Sequence, residues 1–239
     1  MAEIPKEVKI SLFDSKKYFP SKTPLRFTDV ALYSTTPVDQ SEFTASLLLL
    51  YYDHETLKKK TLTDASACIG GNTWAFANIT KAVNANELSK LHFDILKYNM
   101  KELNINNVEF YNEDYNKLVD LTNKPLKQDI IFLDPPWGGL DYREGVILKY
   151  GSVLVEDLIC SKLVYQAELI ICKLPNNTTT ECLKKLKNSN FPYYEEIDIM
   201  TADAPIYKIV ILSHFPRKLE IAKKAFERER YRGIKYQVM

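Results

Sequence analysis

Asp134-Pro135-Pro136-Trp137 sets a carboxylate, two ring-locked residues and an indole side by side, directly after the apolar run Ile130-Ile131-Phe132-Leu133 and before Gly138-Gly139. Four consecutive apolar residues read as a strand buried on both faces, and the double proline must end it, because neither ring nitrogen can donate to a ladder. In open α/β sheets ligands sit at the carboxyl ends of strands, so the acid and the indole would be held over a cleft. The chemistry that suits such a corner is transfer to an exocyclic amine on a flat base. An aromatic amine is a poor nucleophile while its lone pair is delocalised, so a site must orient it and accept its N–H groups as the nitrogen pyramidalises. Asp134 and the Pro135 carbonyl are acceptors for that task. Trp137 offers a stacking face worth about 1 to 3 kcal/mol to a base, and more to a cationic one. The competing reading is a structural corner with Trp137 as ordinary core.

Three further acids fall at the ends of expected strands. Thr61-Leu62-Thr63-Asp64-Ala65 reads as a first strand, followed by the turn Cys68-Ile69-Gly70-Gly71-Asn72-Thr73 and an apolar helix through Trp74, Phe76 and Ile79. Strand, glycine turn and helix is the geometry that brings backbone close to a cofactor. It is not a phosphate loop, since no Gly-Lys-Ser/Thr ending follows. Val83-Asn84-Ala85-Asn86-Glu87 reads as a second strand whose acid lies 23 residues after Asp64, suited to accepting from ribose hydroxyls. Val108 to Tyr111 reads as a third strand, followed by Asn112-Glu113-Asp114-Tyr115, where an acid can take an adenine amino group and a ring can cover the base. One such acid alone is more often a helix cap or a surface charge; three in order form a pattern. Four of the seven glycines lie in the two pairs Gly70-Gly71 and Gly138-Gly139, both at strand ends.

The elements that must position these residues follow from periodicity. Thr36-Pro37-Val38-Asp39 predicts a helix start with a hydroxyl cap, a proline in the first position and an acid completing a capping box. The helix should run from Pro37 to about Tyr52 and bury Phe43, Leu47 and Leu50. A second helix over 88–103 presents Leu91, Ile95, Leu96 and Met100 on one face, and residues 153–165 also read as helical. Leu169 to Asn177 predicts a further strand with a proline stop, then a basic helix through Cys182, Leu183 and Leu186. Tyr193 to Met200 and Ile206 to Leu212 predict a hairpin-like pair, with Tyr207 to Leu212 a continuous apolar strand broken only by Lys208. Residues 1–35 mix basic and aromatic side chains without periodicity and read as a loose arm, either solvated or able to meet phosphates and bases. The tail from Arg217 to Arg232 predicts a basic amphipathic helix, solvated or facing RNA.

Composition narrows the class. The chain has 239 residues, 46% of them hydrophobic, enough for one substantial core, and a formal net charge of +1 that gives no global argument for nucleic acid. Cys68, Cys160, Cys172 and Cys182 show no metal-ligand spacing and read as reduced, buried residues of an intracellular protein. His54, His92 and His214 fit no triad, and no metal site is expected. No apolar run reaches membrane-spanning length and the start lacks a signal-peptide pattern, so the expectation is a protein of the cytoplasm or nucleus without membrane association. A viral source is left open. The organisation expected is an N-terminal arm and helix over 1–55 covering the clefts, a core over 56–215 and a basic tail over 216–239.

In these motifs the chain resembles class I S-adenosylmethionine-dependent methyltransferases, and among them the trimethylguanosine synthases, which modify guanine N2 of RNA caps. The matching pieces are Ser34-Thr35-Thr36-Pro37, Asp64-Ala65 with Gly70-Gly71-Asn72-Thr73, Glu87, Glu113-Asp114-Tyr115, Asp134-Pro135-Pro136-Trp137-Gly138-Gly139 with Asp141-Tyr142, and Leu174-Pro175-Asn176-Asn177. An acid, amide or serine before Pro-Pro-aromatic is shared by many amino methyltransferases, whereas Pro-Pro-Trp-Gly-Gly with the following x-Asp-Tyr is far more specific. The resemblance implies an α/β Rossmann-like fold with a seven-stranded, mostly parallel sheet, helices on both faces and an antiparallel last strand. It implies that Asp64, Gly70, Asn72, Thr73, Glu87, Leu88, Asp114, Tyr115 and Asp134 bind S-adenosylmethionine, later S-adenosylhomocysteine, with Thr36 closing over it. Trp137 would stack on 7-methylguanine, Asp134 and Pro135 would position the N2 amine, and Lys17, Lys22 or Arg26 would meet the cap triphosphate, with Asn176 also at the substrate. Capped RNA or 7-methylguanosine nucleotides are the implied partners. The family usually has serine where Asp134 stands, glycine where Cys68 stands and arginine where Asn176 stands. An amino methyltransferase of internal RNA or DNA bases, and a non-catalytic cap- or donor-binding subunit, are the alternative readings.

Overall fold

The computed structural model describes residues 7–9, 19, 24–120, 126–138, 147–200, 205–218 and 235–238. The chain divides into two compact units, Met1–Glu113 and Asp114–Met239.

In the first unit, β1 (Glu7–Lys9) pairs antiparallel with β2 (Arg26–Thr28). The loose arm expected over 1–35 is thus ordered where it is described. Thr28 caps the helix Asp29–Ser34, its hydroxyl accepting the Ala31 N–H at 3.0 Å, and Asn99 ties down Arg26 through both the backbone N–H and the carbonyl. The next helix is shorter than expected, running Val38–Ser46 before the chain tightens into a 3-10 turn at Leu47–Leu50. Hydroxyls of Ser41, Thr44 and Ser46 donate back to the carbonyls of Pro37, Gln40 and Phe43, competition that favours tighter turns. Pro37 stands at the cap position without a side-chain bond, so the capping box expected at Thr36 is not formed. Its hydroxyl is taken elsewhere, by Asn72. Phe43, Leu47 and Leu50 are buried as expected.

After the short helix His54–Leu57 the unit builds β3 (Thr61–Asp64), β4 (Ala82–Asn86) and β5 (Val108–Tyr111), parallel and adjacent in that order. The helices Gly71–Ile79 and Lys90–Glu102 make the two crossovers. Ile95, Leu96 and Met100 pack inward from the second helix, which starts at a Ser89 cap. Parallel pairing demands such crossovers, and it brings the ends of all three strands to one edge.

The second unit holds β6 (Ile130–Leu133), the short pair β7 (Lys149–Tyr150) and β8 (Val153–Leu154), β9 (Leu169–Pro175), β10 (Tyr193–Met200), β11 (Pro205–Ser213) and β12 (Lys235–Val238). β6 and β9 are parallel, with Leu133 opposite Cys172; β11 runs antiparallel to β9, and β10 antiparallel to both β11 and β12. The helices Val155–Ser161 and Thr180–Lys187 and a 3-10 turn at Leu163–Tyr165 connect them. All four side chains of β6 are fully buried, each worth about 1.5 to 3 kcal/mol against exposure. Lys208, the charge that interrupts β11, is buried between Glu196 at 3.0 Å and Asp198 at 2.5 Å. Counted over both units, eight described strands belong to this architecture, one more than the seven expected. The extra one, β12, lies in the basic tail, beyond the helix expected from Arg217 to Arg232. Residues 219–232 of the predicted tail helix lie outside the described residues; Arg217 pairs with Glu195 at 3.2 Å.

Candidate active site

The first unit contributes a set of polar groups where β3 and β4 end. Asp64 is buried at the end of β3 and its Oδ2 accepts from the Thr73 hydroxyl at 2.6 Å. Thr73 and Asn72 occupy the first turn of the helix Gly71–Ile79. The turn before it needs two left-handed backbones, at Gly70 (φ +104°) and Cys68 (φ +49°). A Cβ at Gly70 would lie 2.5 Å from the Met100 methyl, which a flexible side chain can yield, so it is the left-handed backbone that favours glycine there. At Cys68 a side chain stands in the left-handed region, at a cost of about 1 to 2 kcal/mol.

Glu87 clamps that turn. Its Oε2 accepts the Cys68 N–H at 2.9 Å and its Oε1 the Ser89 N–H at 2.8 Å, which leaves lone pairs on both oxygens for a ligand's hydroxyls. Leu88, beside it, is 65% exposed. Asn72 donates to the Thr36 hydroxyl at 3.0 Å, while its Oδ1 is buried and accepts no hydrogen bond from any described residue. Gly71 sits close enough to the Thr35-Thr36 segment that a Cβ would lie 3.0 Å from the Thr36 carbonyl. A half-buried diacceptor, a buried amide oxygen without a described donor and an exposed leucine are groups that could hold a ligand bearing hydroxyls, a cationic amine and an apolar ring.

The second unit carries Asp134 immediately beyond β6. Lys173, near the end of β9, donates to Asp134 Oδ2 at 2.9 Å; both side chains are largely removed from water, at 9% and 16% exposure. Burial raises the Asp134 carboxyl above its ordinary value, and the Lys173 ammonium opposes that rise. The same ammonium lies 5.3 Å from the Trp137 ring centroid and 5.0 Å from that of Tyr207. Trp137 is half-buried, Pro135 buried and Pro136 exposed, so the indole is not swallowed by the core. Asn176 lies half-buried in the turn after β9.

Other expected residues are placed differently. Asp114 caps the helix Tyr115–Leu118, accepting the Asn116 N–H at 3.0 Å. Tyr115, expected to cover a base, is 1% exposed, donates to Gln128 at 3.1 Å and packs edge-on to Tyr150. That ring belongs to the interior, where Gln128 and Tyr150 meet it. Arg26, expected at phosphates, has its guanidinium 3.9 Å over the Tyr98 ring. Lys17, Lys22, Gly139 and Asp141-Tyr142 lie outside the described residues. Cys172 and Cys182 are buried as expected, but Cys68 and Cys160 are only half-buried. Lys173 and Tyr207 were not anticipated. A lysine inside an otherwise apolar strand was the available signal, since a charge so placed requires a partner. Among the described residues no cluster of acids, histidines and cysteines suits a metal ion, and no helix is long and apolar enough to cross a membrane.

Parallel strands joined by helices, antiparallel β11 and acids at the strand ends define a Rossmann-like class I methyltransferase. The fold is shared with the METTL16 methyltransferase domain (12% identity, TM-score 0.54, 79% of this chain and 73% of that one). It is shared also with a Pyrococcus horikoshii protein provisionally described as an RNA methyltransferase (14% identity, TM-score 0.51, 74% and 83%). The chain belongs to the RNA cap guanine-N2 methyltransferase family, whose profile matches residues 59–218. It is also 36% identical over 127 residues to uncharacterized protein L320 of Acanthamoeba polyphaga mimivirus, spanning 52% of this chain and about half (49%) of that relative.

Proposed function

We propose that the protein transfers a methyl group from S-adenosylmethionine to the N2 amine of 7-methylguanosine at RNA 5′ ends, giving 2,7-dimethylguanosine or 2,2,7-trimethylguanosine. The observation that carries this reading is the oriented Asp134 beside a half-buried Trp137 in a chain of the cap guanine-N2 family.

The donor would supply an electrophilic methyl on a sulfonium. Residues of the first unit fit it: Glu87 would accept from the ribose diol, Asn72 Oδ1 from the cationic amine, and Leu88 would cover the adenine. Asp64, tied to Thr73, fixes the glycine turn, and Thr36 packs over it through Asn72. On the acceptor side Trp137 stacks on the purine, while Asp134 and the Pro135 carbonyl accept the amine's two N–H groups. Both acceptors favour the pyramidal nitrogen, whose lone pair is freed for in-line attack. The proton leaves after the new C–N bond forms, so no strong general base is required, and catalysis comes from positioning in a site shielded from water.

A second reading, a neutral guanine or other internal base, is favoured by the Lys173 ammonium beside the indole, which reduces what a second cation would gain there. Trp137→Ala tests the main reading. Turnover on cap analogues should fall by more than about a hundredfold, stacking alone accounting for roughly 1 to 3 kcal/mol, while donor binding persists. Unchanged turnover on cap analogues would overturn it.

A further inference from the structure

Lys173 is a costly residue for its position. β9 is buried along its whole length from Leu169 to Pro175, and a solvated ammonium has been brought into it. What meets that charge is specific: Asp134 at 2.9 Å, and the rings of Trp137 and Tyr207 at 5.3 and 5.0 Å. The strands explain the meeting. Leu133 on β6 is opposite Cys172 on β9, so the next step of the same parallel register sets Asp134 beside Lys173, and Tyr207 enters from β11, where it pairs with Pro175. A lone buried carboxylate would shed its charge by taking a proton, and a lone buried ammonium would lose one. Together they form an ion pair in which the ammonium donates to one carboxylate oxygen and fixes the carboxylate's orientation.

We propose that Lys173 is a positioning and specificity-determining residue: it holds Asp134 as an oriented anion, and so makes recognition of the base depend on its exocyclic amine. The inference rests on the reading of Asp134 as the amine's acceptor. It accounts for a departure that otherwise lacks a reason. Serine, usual in the family at this position, is neutral and can accept unaided, whereas an aspartate in the same buried corner needs a counter-charge. Other titratable groups facing the pair are the Cys172 thiol on β9, which burial keeps neutral, and the Tyr207 phenol on β11.

The test is the affinity for 7-methylguanosine against 7-methylinosine, which lacks only the N2 amine, followed by tryptophan fluorescence across pH 5 to 9. The wild type should prefer the amine by at least about tenfold at pH 7, the worth of a hydrogen bond to a charged group. In K173M that preference should fall below about threefold at pH 7 and recover as the pH rises and Asp134 ionises. In D134S/K173M, which buries no lone charge and so remains informative if K173M folds poorly, the preference should return and no longer vary with pH. A K173M protein with the wild-type preference and pH dependence overturns the inference, as does a double variant no better than K173M. If the wild type binds neither nucleoside, the reading of the site has failed instead. The two failures are then separated by an NMR titration of the Asp134 carboxyl: an identical midpoint in wild type and K173M would show that Lys173 does not hold the anion.

Discussion

The Cys68 backbone N–H donates to Glu87 Oε2 at 2.9 Å, joining the turn after β3 to the residue that follows β4. This bond holds Cys68 in a left-handed conformation at φ +49°, where a Cβ is strained. Cys68→Gly should therefore raise the midpoint of denaturant unfolding. The strain removed, about 1 to 2 kcal/mol, exceeds the entropic cost of glycine, about 0.5 to 1 kcal/mol. A lowered midpoint would show that the turn does not carry that strain.

Glu87 holds the turn and, in the function proposed, would also hold the donor. Glu87→Ala releases two backbone N–H groups and removes the diol acceptor, so affinity for S-adenosylhomocysteine by titration calorimetry should fall about ten- to a hundredfold. Glu87→Gln keeps one acceptor oxygen and should lose less. Equal binding by all three proteins would remove Glu87 from the donor site.

Asp134 predicts the direction of the pH response. Burial, opposed by Lys173, raises its carboxyl above the ordinary 3.8, so a reaction that needs the carboxylate should decline as pH falls through a midpoint above that value. Asp134→Ser should abolish this limb. For stability the sign is reversed: the folded protein holds this proton more tightly than the unfolded chain does. The contribution is therefore fullest below 3.8 and is lost as pH rises through the raised value. Unfolding of wild type and Asp134→Ser compared from pH 3 to 7 measures it.

The thiols should separate by environment. Cys182, buried beside Glu156, is pushed up to about 12 by burial and by that carboxylate, and Cys172 is raised as well. At pH 8 a group near 12 has a thiolate fraction on the order of 10⁻⁴. Both should resist a maleimide in the folded protein, whereas half-buried Cys68 reacts; peptide mapping after a timed pulse reads the order.

Part of the fold could be read from local pattern because β6 and β9 carry their own boundaries: Pro135 and Pro175 stop the apolar runs that begin at Ile130 and Leu169. What could not be read depended on partners remote in sequence. Thr36 offered a cap by local chemistry, but Asn72, 36 positions on, claims its hydroxyl. Tyr115 followed an acid in a suggestive order, yet Gln128 and Tyr150 draw it into the interior. The pairing of Lys173 with Asp134 needed the β6–β9 register, which composition does not encode. The strand β12 was masked by the basic character of the tail in which it lies.

The central claim is transfer to the exocyclic amine of an N7-methylated guanine. Incubation with methyl-labelled S-adenosylmethionine and either 7-methylguanosine triphosphate or GTP, with the product nucleoside identified by mass, tests it most directly. The account predicts label in 2,7-dimethylguanosine or the trimethyl form from the methylated nucleotide, and at least about tenfold less product from GTP. Equal labelling of both nucleotides, or a label on any atom other than N2, would contradict it.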